Sequence, residues 1–287
     1  MRYEAPETIE GAVKLLAGGG PRGRVLAGGT DLLVQLRAGM IAPELVVDIK
    51  RIDETREIRE EGGRLVIGAA VTGAELGEHA AAKAMWPGVV EATELIGSTQ
   101  IQGRASLAGN LCNASPAADT VPALVAAAAT CRIAGPGGER RVPVEEVCTG
   151  PGELSLDDGE FVVAFEFPKR PPRSADAYLR FIPRTEMDIA VVGAGVNLSF
   201  DDNGRCAAAR VSLGAVAPTV ILVEEAGRAL VGTECDDAAL QNMAAAASAA
   251  CRPIDDKRGT VEYRTKVAGV LATRAAKIAA QRAKGAR

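Results

Sequence analysis

The sequence predicts an α+β fold with more than one structural unit, and three observations carry that expectation. The chain has 287 residues, enough for two domains or for one domain built of subdomains. Pro168 to Ser174 holds three prolines and three basic residues, unfit for helix or inner strand, and marks a boundary. Beyond it a run of strands precedes two helices, the order of an antiparallel sheet with helices on one face.

The elements follow in order. Pro6 to Ala17 reads as a helix, with Thr8 as cap and Ile9, Ala12, Val13, Leu15 and Leu16 as its apolar stripe; Gly18 to Pro21 stops it. Arg24 to Ala27 is a short strand entering Gly28-Gly29-Thr30-Asp31, and Leu32 to Arg37 gives one or two helical turns. Glu44 to Ile49 is a buried strand that completes a βα-type layer. Ile58 to Ile67 reads as a hairpin around Gly62-Gly63, and helices follow at Gly73 to His79 and Trp86 to Ile96. Gln100 to Ser115 is non-periodic and reads as a long polar loop. Thr120 to Ala129 is a helix with Asp119 as its cap. Strands are expected at Cys131 to Ala134, Arg141 to Pro143 and Phe161 to Phe167. After the boundary come strands at Asp176 to Ile182, Ala190 to Phe200 and Arg205 to Leu213, the last two joined at Asp201-Asp202-Asn203-Gly204. Helices near Asp237 to Ala250 and Gly259 to Lys284 finish the chain.

Composition narrows the function. The net charge of −4 argues against non-specific nucleic-acid binding, and no apolar stretch is long enough to span a membrane. The N-terminus lacks the apolar core of a secretory signal, so the six cysteines are expected to be reduced thiols in a cytoplasmic protein. None of them forms a C-x-x-C pair, so neither a zinc site nor an iron–sulfur cluster is signalled, and no metal ligands are assigned. A single histidine, His79, excludes a His-rich metal centre, and its place at a helix end suits a solvated cation better than catalysis. Aromatic residues make up only 3% of the chain, too few for a base-stacking platform. No catalytic residue stands out, and chemistry here needs a borrowed cofactor.

Two loops have the character to grip one. Gly28-Gly29 lets backbone N–H groups approach an anion, the following helix start adds a favourable dipole, and Thr30 offers a hydroxyl to a phosphate oxygen. Ser106-Leu107-Ala108-Gly109-Asn110 lies in the polar loop, and Asp119 serves either as a helix cap or as an acceptor for sugar-chain hydroxyls. Gly193-Ala194-Gly195 is not a dinucleotide loop, because Leu198 stands where the third glycine belongs. The terminal helix carries Arg264, Lys266, Arg274, Lys277, Arg282, Lys284 and Arg287, read as a solvated basic face.

Taken in this order, the two loops resemble the FAD-binding medium subunit of the molybdenum hydroxylases, the family of aerobic carbon monoxide dehydrogenase and xanthine dehydrogenase. The likeness runs on through Asn113 to Pro116, Asp119 to Leu124, Arg184 to Ala190, Gly214 to Thr219 and Glu262 to Arg264, covering essentially the whole chain. It implies a bipartite FAD-binding domain of the vanillyl-alcohol-oxidase/PCMH type, with subdomains at residues 1–57 and 58–170, and an α+β C-terminal domain at 175–287. Non-covalent FAD would lie between Leu26, Ala27, Gly28, Gly29, Thr30, Asp31 and Leu32 on one wall and Ser106, Leu107, Ala108, Gly109 and Asn110 on the other. Asp119 would take a sugar-chain hydroxyl; Val163 and Arg180 match positions near the flavin in relatives. Ile189 falls where the carbon monoxide enzyme has a tyrosine beside the isoalloxazine, and Ala108 replaces a customary glycine.

The resemblance also implies partners: a large subunit with the molybdenum cofactor and a small subunit with 2Fe-2S clusters, in a dimer of heterotrimers. Electrons would pass through FAD to NAD, a quinone or oxygen, and the complex could sit peripherally at the inner membrane face. Two other readings fit the residues. A self-contained FAD-dependent oxidoreductase needs an acid or base at the ring, for which the loops offer only Asp31 and Asp119. An assembly or scaffold subunit with a degenerate flavin site is suggested by Ala108 and Ile189.

Overall fold

The computed structural model describes residues 1–285; Arg287, counted above with the basic face, lies outside them. The N-terminal strand β1 (Arg2–Glu4) leads through helix α1 (Ile9–Gly19) to β2 (Gly23–Leu26), then through α2 (Leu32–Arg37) to β3 (Leu45–Asp48). These strands form a parallel sheet in the order β1-β3-β2. Parallel pairing follows from the crossovers, since each helix returns the chain to the same sheet end. Thr8 caps α1 by accepting from Gly11 N, as its sequence position predicts.

A second, antiparallel sheet has the order β4-β5-β10-β6-β7. Its strands are β4 (Ile58–Glu61), β5 (Arg64–Gly68), β6 (Thr130–Gly135), β7 (Gly138–Pro143) and β10 (Phe161–Glu166), with a small hairpin of β8 (Cys148–Gly150) and β9 (Glu153–Leu154) before β10. Between β5 and β6 run six short helices: α3 (Gly73–Glu78), α4 (Ala80–Met85), α5 (Pro87–Thr93), α6 (Thr99–Gln102), α7 (Leu107–Cys112) and α8 (Thr120–Ala126). The stretch read as an irregular loop is therefore partly helical. Its helices are too short to show an amphipathic period, but Leu107 and Leu111 are buried four apart on one side of α7. His79 ends α3 and caps α4, its Nδ1 accepting from Ala82 N at 3.3 Å.

The third sheet, β11-β12-β13-β14, comprises Ser174–Phe181, Val192–Phe200, Cys206–Gly214 and Ile221–Leu222. Helices α9 (Glu224–Leu230), α10 (Asp237–Ala250) and α11 (Val261–Ala283) complete the chain. Alternation along β12 sorts two interfaces. Val192, Ala194, Val196, Leu198 and Phe200 join the core beneath α10 and α11, while Gly193 and Gly195 face the other way. A Cβ on Gly195 would stand 2.5 Å from the Pro122 carbonyl oxygen, so the glycine admits α8 against the sheet. Close packing accounts for both glycines, Gly195 against the α8 backbone and Gly193 against the Tyr178 hydroxyl, 2.6 Å from where its Cβ would stand, in keeping with the sequence reading that they form no dinucleotide loop.

The boundary segment is pinned rather than free. Arg170 lies over the Trp86 ring at 4.1 Å and pairs with Asp176 at 2.9 Å. The basic terminal helix departs from a solvated face at two positions, while Lys266, Arg274, Lys277 and Lys284 stay exposed as expected. Arg264 is buried, donating to Val191 O at 2.7 Å and pairing with Asp256, and Arg282 bridges to Glu91 and to Asp176 O. Fixed backbone carbonyls and carboxylates around these positions turn helix charges into tertiary clamps. Among the described residues, no helix is long and apolar enough to cross a membrane.

Candidate functional site

A cleft of about 480 Å³ opens between the N-terminal layer, α7 and the β9–β10 region. That volume is in the usual range for a small-molecule or cofactor site. One wall is Ala27 to Leu32 with Gln35 of α2; the other is Ser106, Ala108, Gly109, Cys112 and Asn113. Helical spacing explains the second wall, since residues 106, 109 and 113 recur every three or four positions while Leu107 and Leu111 point into the core. Val25, Ile41, Ile49, Leu154, Leu156, Phe161 and Val162 supply an apolar surface.

The walls are built to touch. A Cβ on Gly28 would stand 1.9 Å from Arg104 O, so only glycine lets the loops meet there. Gly29 has a φ of 81°, a left-handed conformation that disfavours any side chain, and its carbonyl accepts from Leu33 N at 3.0 Å to start α2. Lys50 Nζ fastens the loop from behind, donating to Ala27 O at 2.9 Å and to Asp48 at 2.7 Å. Burial opposes the Asp48 charge, but hydrogen bonds from Lys50 and from the Tyr3 hydroxyl outweigh it and hold the carboxyl below its usual range. Across the mouth, Asn113 accepts from Gln35 at 3.1 Å and donates to Asp31 at 3.4 Å. Asp31 is solvent-exposed, yet crowding by the cleft walls raises its carboxyl above the ordinary value. Burial pushes the Cys112 thiol up to about 12, so it stays neutral.

Two helix starts, at Leu32 and Leu107, border the cleft. The first N–H groups of a helix have no intrahelical acceptors, which suits this border to an anion such as a diphosphate. Ser106 Oγ satisfies Gly109 N at 3.1 Å and leaves the two preceding N–H groups available. Ala108 lies within α7 outside the positive-φ region, so replacing glycine costs no backbone strain.

Other sequence-selected residues stand elsewhere. Leu26 ends β2 and Leu107 is buried in the core behind α7. Asn110 holds α8, accepting from Thr120 N at 2.9 Å and Thr120 Oγ1 at 2.7 Å, and so does the capping assigned to Asp119. Asp119 makes no cap bond; it pairs with Arg180 at 3.0 Å, and Arg180 also donates to Leu95 O at 2.8 Å. Burial raises the Asp119 carboxyl to about 6, with Arg180 only partly offsetting it. Val163 is fully buried in β10, whereas its neighbour Val162 borders the cleft. Ile189 is 52% exposed beside Asp188, off the cleft lining. Sequence reading missed Lys50, Gln35, Leu154, Leu156 and Phe161. Only Gln35 had a local signal, four positions after Asp31 on the same helix.

The chain was compared with known proteins. Residues 1–170 match the family described as the FAD binding domain in molybdopterin dehydrogenase, and residues 177–279 match the CO dehydrogenase flavoprotein C-terminal domain. The carbon monoxide dehydrogenase medium chain of Afipia carboxidovorans is 36% identical, covering 98% of this chain and 97% of that protein. The xanthine dehydrogenase FAD-binding subunit of Escherichia coli is 35% identical, with coverage of 78% and 77%. Among solved structures, reconstituted CO dehydrogenase from Oligotropha carboxidovorans superposes with a TM-score of 0.94 at 35% identity, covering 98% of both chains. Quinoline 2-oxidoreductase from Pseudomonas putida 86 gives a TM-score of 0.90 at 28% identity, covering 99% of this chain and 98% of that one.

Proposed function

The chain belongs to the FAD-binding medium subunits of the molybdenum hydroxylases, and we propose that its cleft between Gly28 and Gly109 holds the FAD through which the complex discharges electrons. It is an oxidoreductase subunit that works beside a large molybdenum-bearing subunit and a small iron–sulfur subunit. The observation that carries the site reading is the meeting of two helix-initiating loops around one apolar-floored cleft.

In this reading, N–H groups at the starts of α2 and α7 receive the diphosphate, and the Thr30 hydroxyl adds a donor. Val25, Ile49, Phe161 and Val162 exclude water from one face. The Asp119–Arg180 pair acts as a positioning clamp, tying α8 and the end of α5 to β11. When bound, FAD supplies the exchange between one-electron donors and a two-electron acceptor. We assign the acceptor to NAD, a quinone or oxygen, and the assembly to a dimer of heterotrimers in the cytoplasm. Six free cysteines suit that reducing compartment. The three sheets support a division into residues 1–57, 58–170 and 175–287.

Expression of the chain with and without its companion subunits, followed by acid release and quantification of flavin, tests the assignment. Stoichiometric FAD in the complex is the expected result. Flavin-free protein in both preparations would overturn it.

A further inference from the structure

Helix α2 is exposed in a way its composition does not favour. From Asp31 to Ala42 no residue is buried, although Leu32, Leu33, Val34, Leu36, Met40 and Ile41 are apolar. A surface helix normally buries one such face. Helical spacing divides these residues between two sides. Leu32 and Gln35, three apart, line the cofactor cleft. Leu33 and Arg37, four apart, share the opposite side with Val34. Leu33 is 50% exposed, Val34 62%, and Met40, just past the helix end, 73%. A cofactor in the cleft covers the first side and leaves the second bare.

This outer side is continuous with the cofactor loop. A Cβ on Gly29 would stand 3.3 Å from both Cγ and Cδ1 of Leu33, so the Leu33 side chain rests on the loop that walls the cleft. A chain seated on Leu33 is separated from the cleft by that loop alone. The rim is also basic. Arg24, Arg37 and Arg104 are exposed and pair with no carboxylate among the described residues. Arg24 lines the cleft, and the Arg104 carbonyl is the group that meets Gly28. The exposed carboxylate of this wall, Asp31, is engaged by Asn113. An apolar centre bordered by Met and Arg has the make-up of a protein interface.

We propose that the outer side of α2, with Leu33, Val34, Arg37 and Met40, is the docking surface for the small iron–sulfur subunit. The inference rests on FAD occupying the cleft. Two properties select this partner. Electron transfer through protein weakens steeply with distance, so the one-electron donor must approach FAD closely, and the Leu33–Gly29 contact brings a docked chain to the cleft wall. The large subunit, whose electrons pass through the clusters, has no such need. A 2Fe-2S cluster on four cysteine thiolates is a net anion, which suits the free guanidinium groups on the rim.

The test titrates the purified small subunit of the complex into the full medium chain. Biolayer interferometry reads affinity, and hydrogen–deuterium exchange reads amide protection. Protection of the 31–42 segment is the expected result. The paired change Val34→Glu and Met40→Glu lies off the cleft lining and outside the core, and should weaken binding about tenfold or more. Arg37→Glu should weaken it as well, and Ile254→Glu, at another exposed apolar position, should not. Circular dichroism and released flavin are measured for every variant. A flavin-free chain would overturn the FAD assignment, whereas a flavin-loaded chain whose 31–42 segment stays unprotected would overturn the docking surface alone. Protection by the large subunit or by a second copy of this chain in place of the small subunit, or undiminished binding by the paired variant, would also overturn it.

Discussion

Arg104 O lies 1.9 Å from where a Cβ on Gly28 would stand, although the two residues are 76 positions apart. Their contact joins the two walls of the cleft and fixes how far apart they sit. The glycine's role is steric at this point: it makes room for another backbone.

Gly28→Ala is therefore expected to force the loops apart. Overpacking of this kind costs about 1–3 kcal/mol, and FAD affinity should fall about tenfold or more. Fluorescence titration of the deflavinated complex measures it. Gly18→Ala, in helix α1 with no atom within 4 Å of the added methyl, should bind FAD like wild type and gain roughly 0.5–1 kcal/mol of stability.

Ala108→Gly restores the residue usual in the family yet should not improve binding. Ala108 already has helical backbone in α7, so the change removes helix propensity and lowers stability by about 0.5–1 kcal/mol. Urea unfolding and flavin titration read the two effects separately. Tighter FAD binding in the variant would contradict the geometry.

Asp119 makes stability depend on pH with an unusual sign. Its folded carboxyl titrates at about 6, above the usual 3.8, because burial outweighs Arg180. Between those values the folded chain holds a proton that the unfolded chain releases, so this group's contribution falls as pH rises from 4 to 6. The difference in unfolding free energy, wild type minus Asp119→Asn, should decline over that interval and level off above pH 6.5, by up to ~1.4 kcal/mol per unit of raised pKa. A difference independent of pH, measured by urea unfolding, would contradict this.

Gly195→Ala tests the packing between the two domains. The new methyl meets Pro122 O at 2.5 Å, which should push α8 from β12 and destabilise the chain by about 1–3 kcal/mol. The direct readout is the thermal midpoint. Because Asp119 at the start of α8 would shift relative to Arg180, FAD retention should weaken as well.

Local patterns read well where an element announced itself. The Thr8 cap, the strand entering Gly28-Gly29 and the Asp201–Gly204 hairpin all stand close to their sequence positions. Helices α4 and α9 gave no such notice, being six and seven residues long, and β1 has only three. The site was half legible. Glycine loops and small polar residues mark themselves, because a close backbone approach needs them. Leu154, Leu156, Phe161 and Lys50 do not, because an apolar or basic residue looks the same whether it borders a cofactor or a core.

The sequence alone determined the chain's family, its α+β class, its dependence on a borrowed cofactor and the two segments that form the cleft walls. Those properties reside in motif order and composition, which survive without knowing any distance. Only the tertiary structure decided that Asn110 caps α8 while Asp119 pairs with Arg180, and that Gly195 serves packing. Each is a contact between residues remote in sequence, and such partners are chosen by how buried polar groups find hydrogen bonds once the sheets and helices have packed.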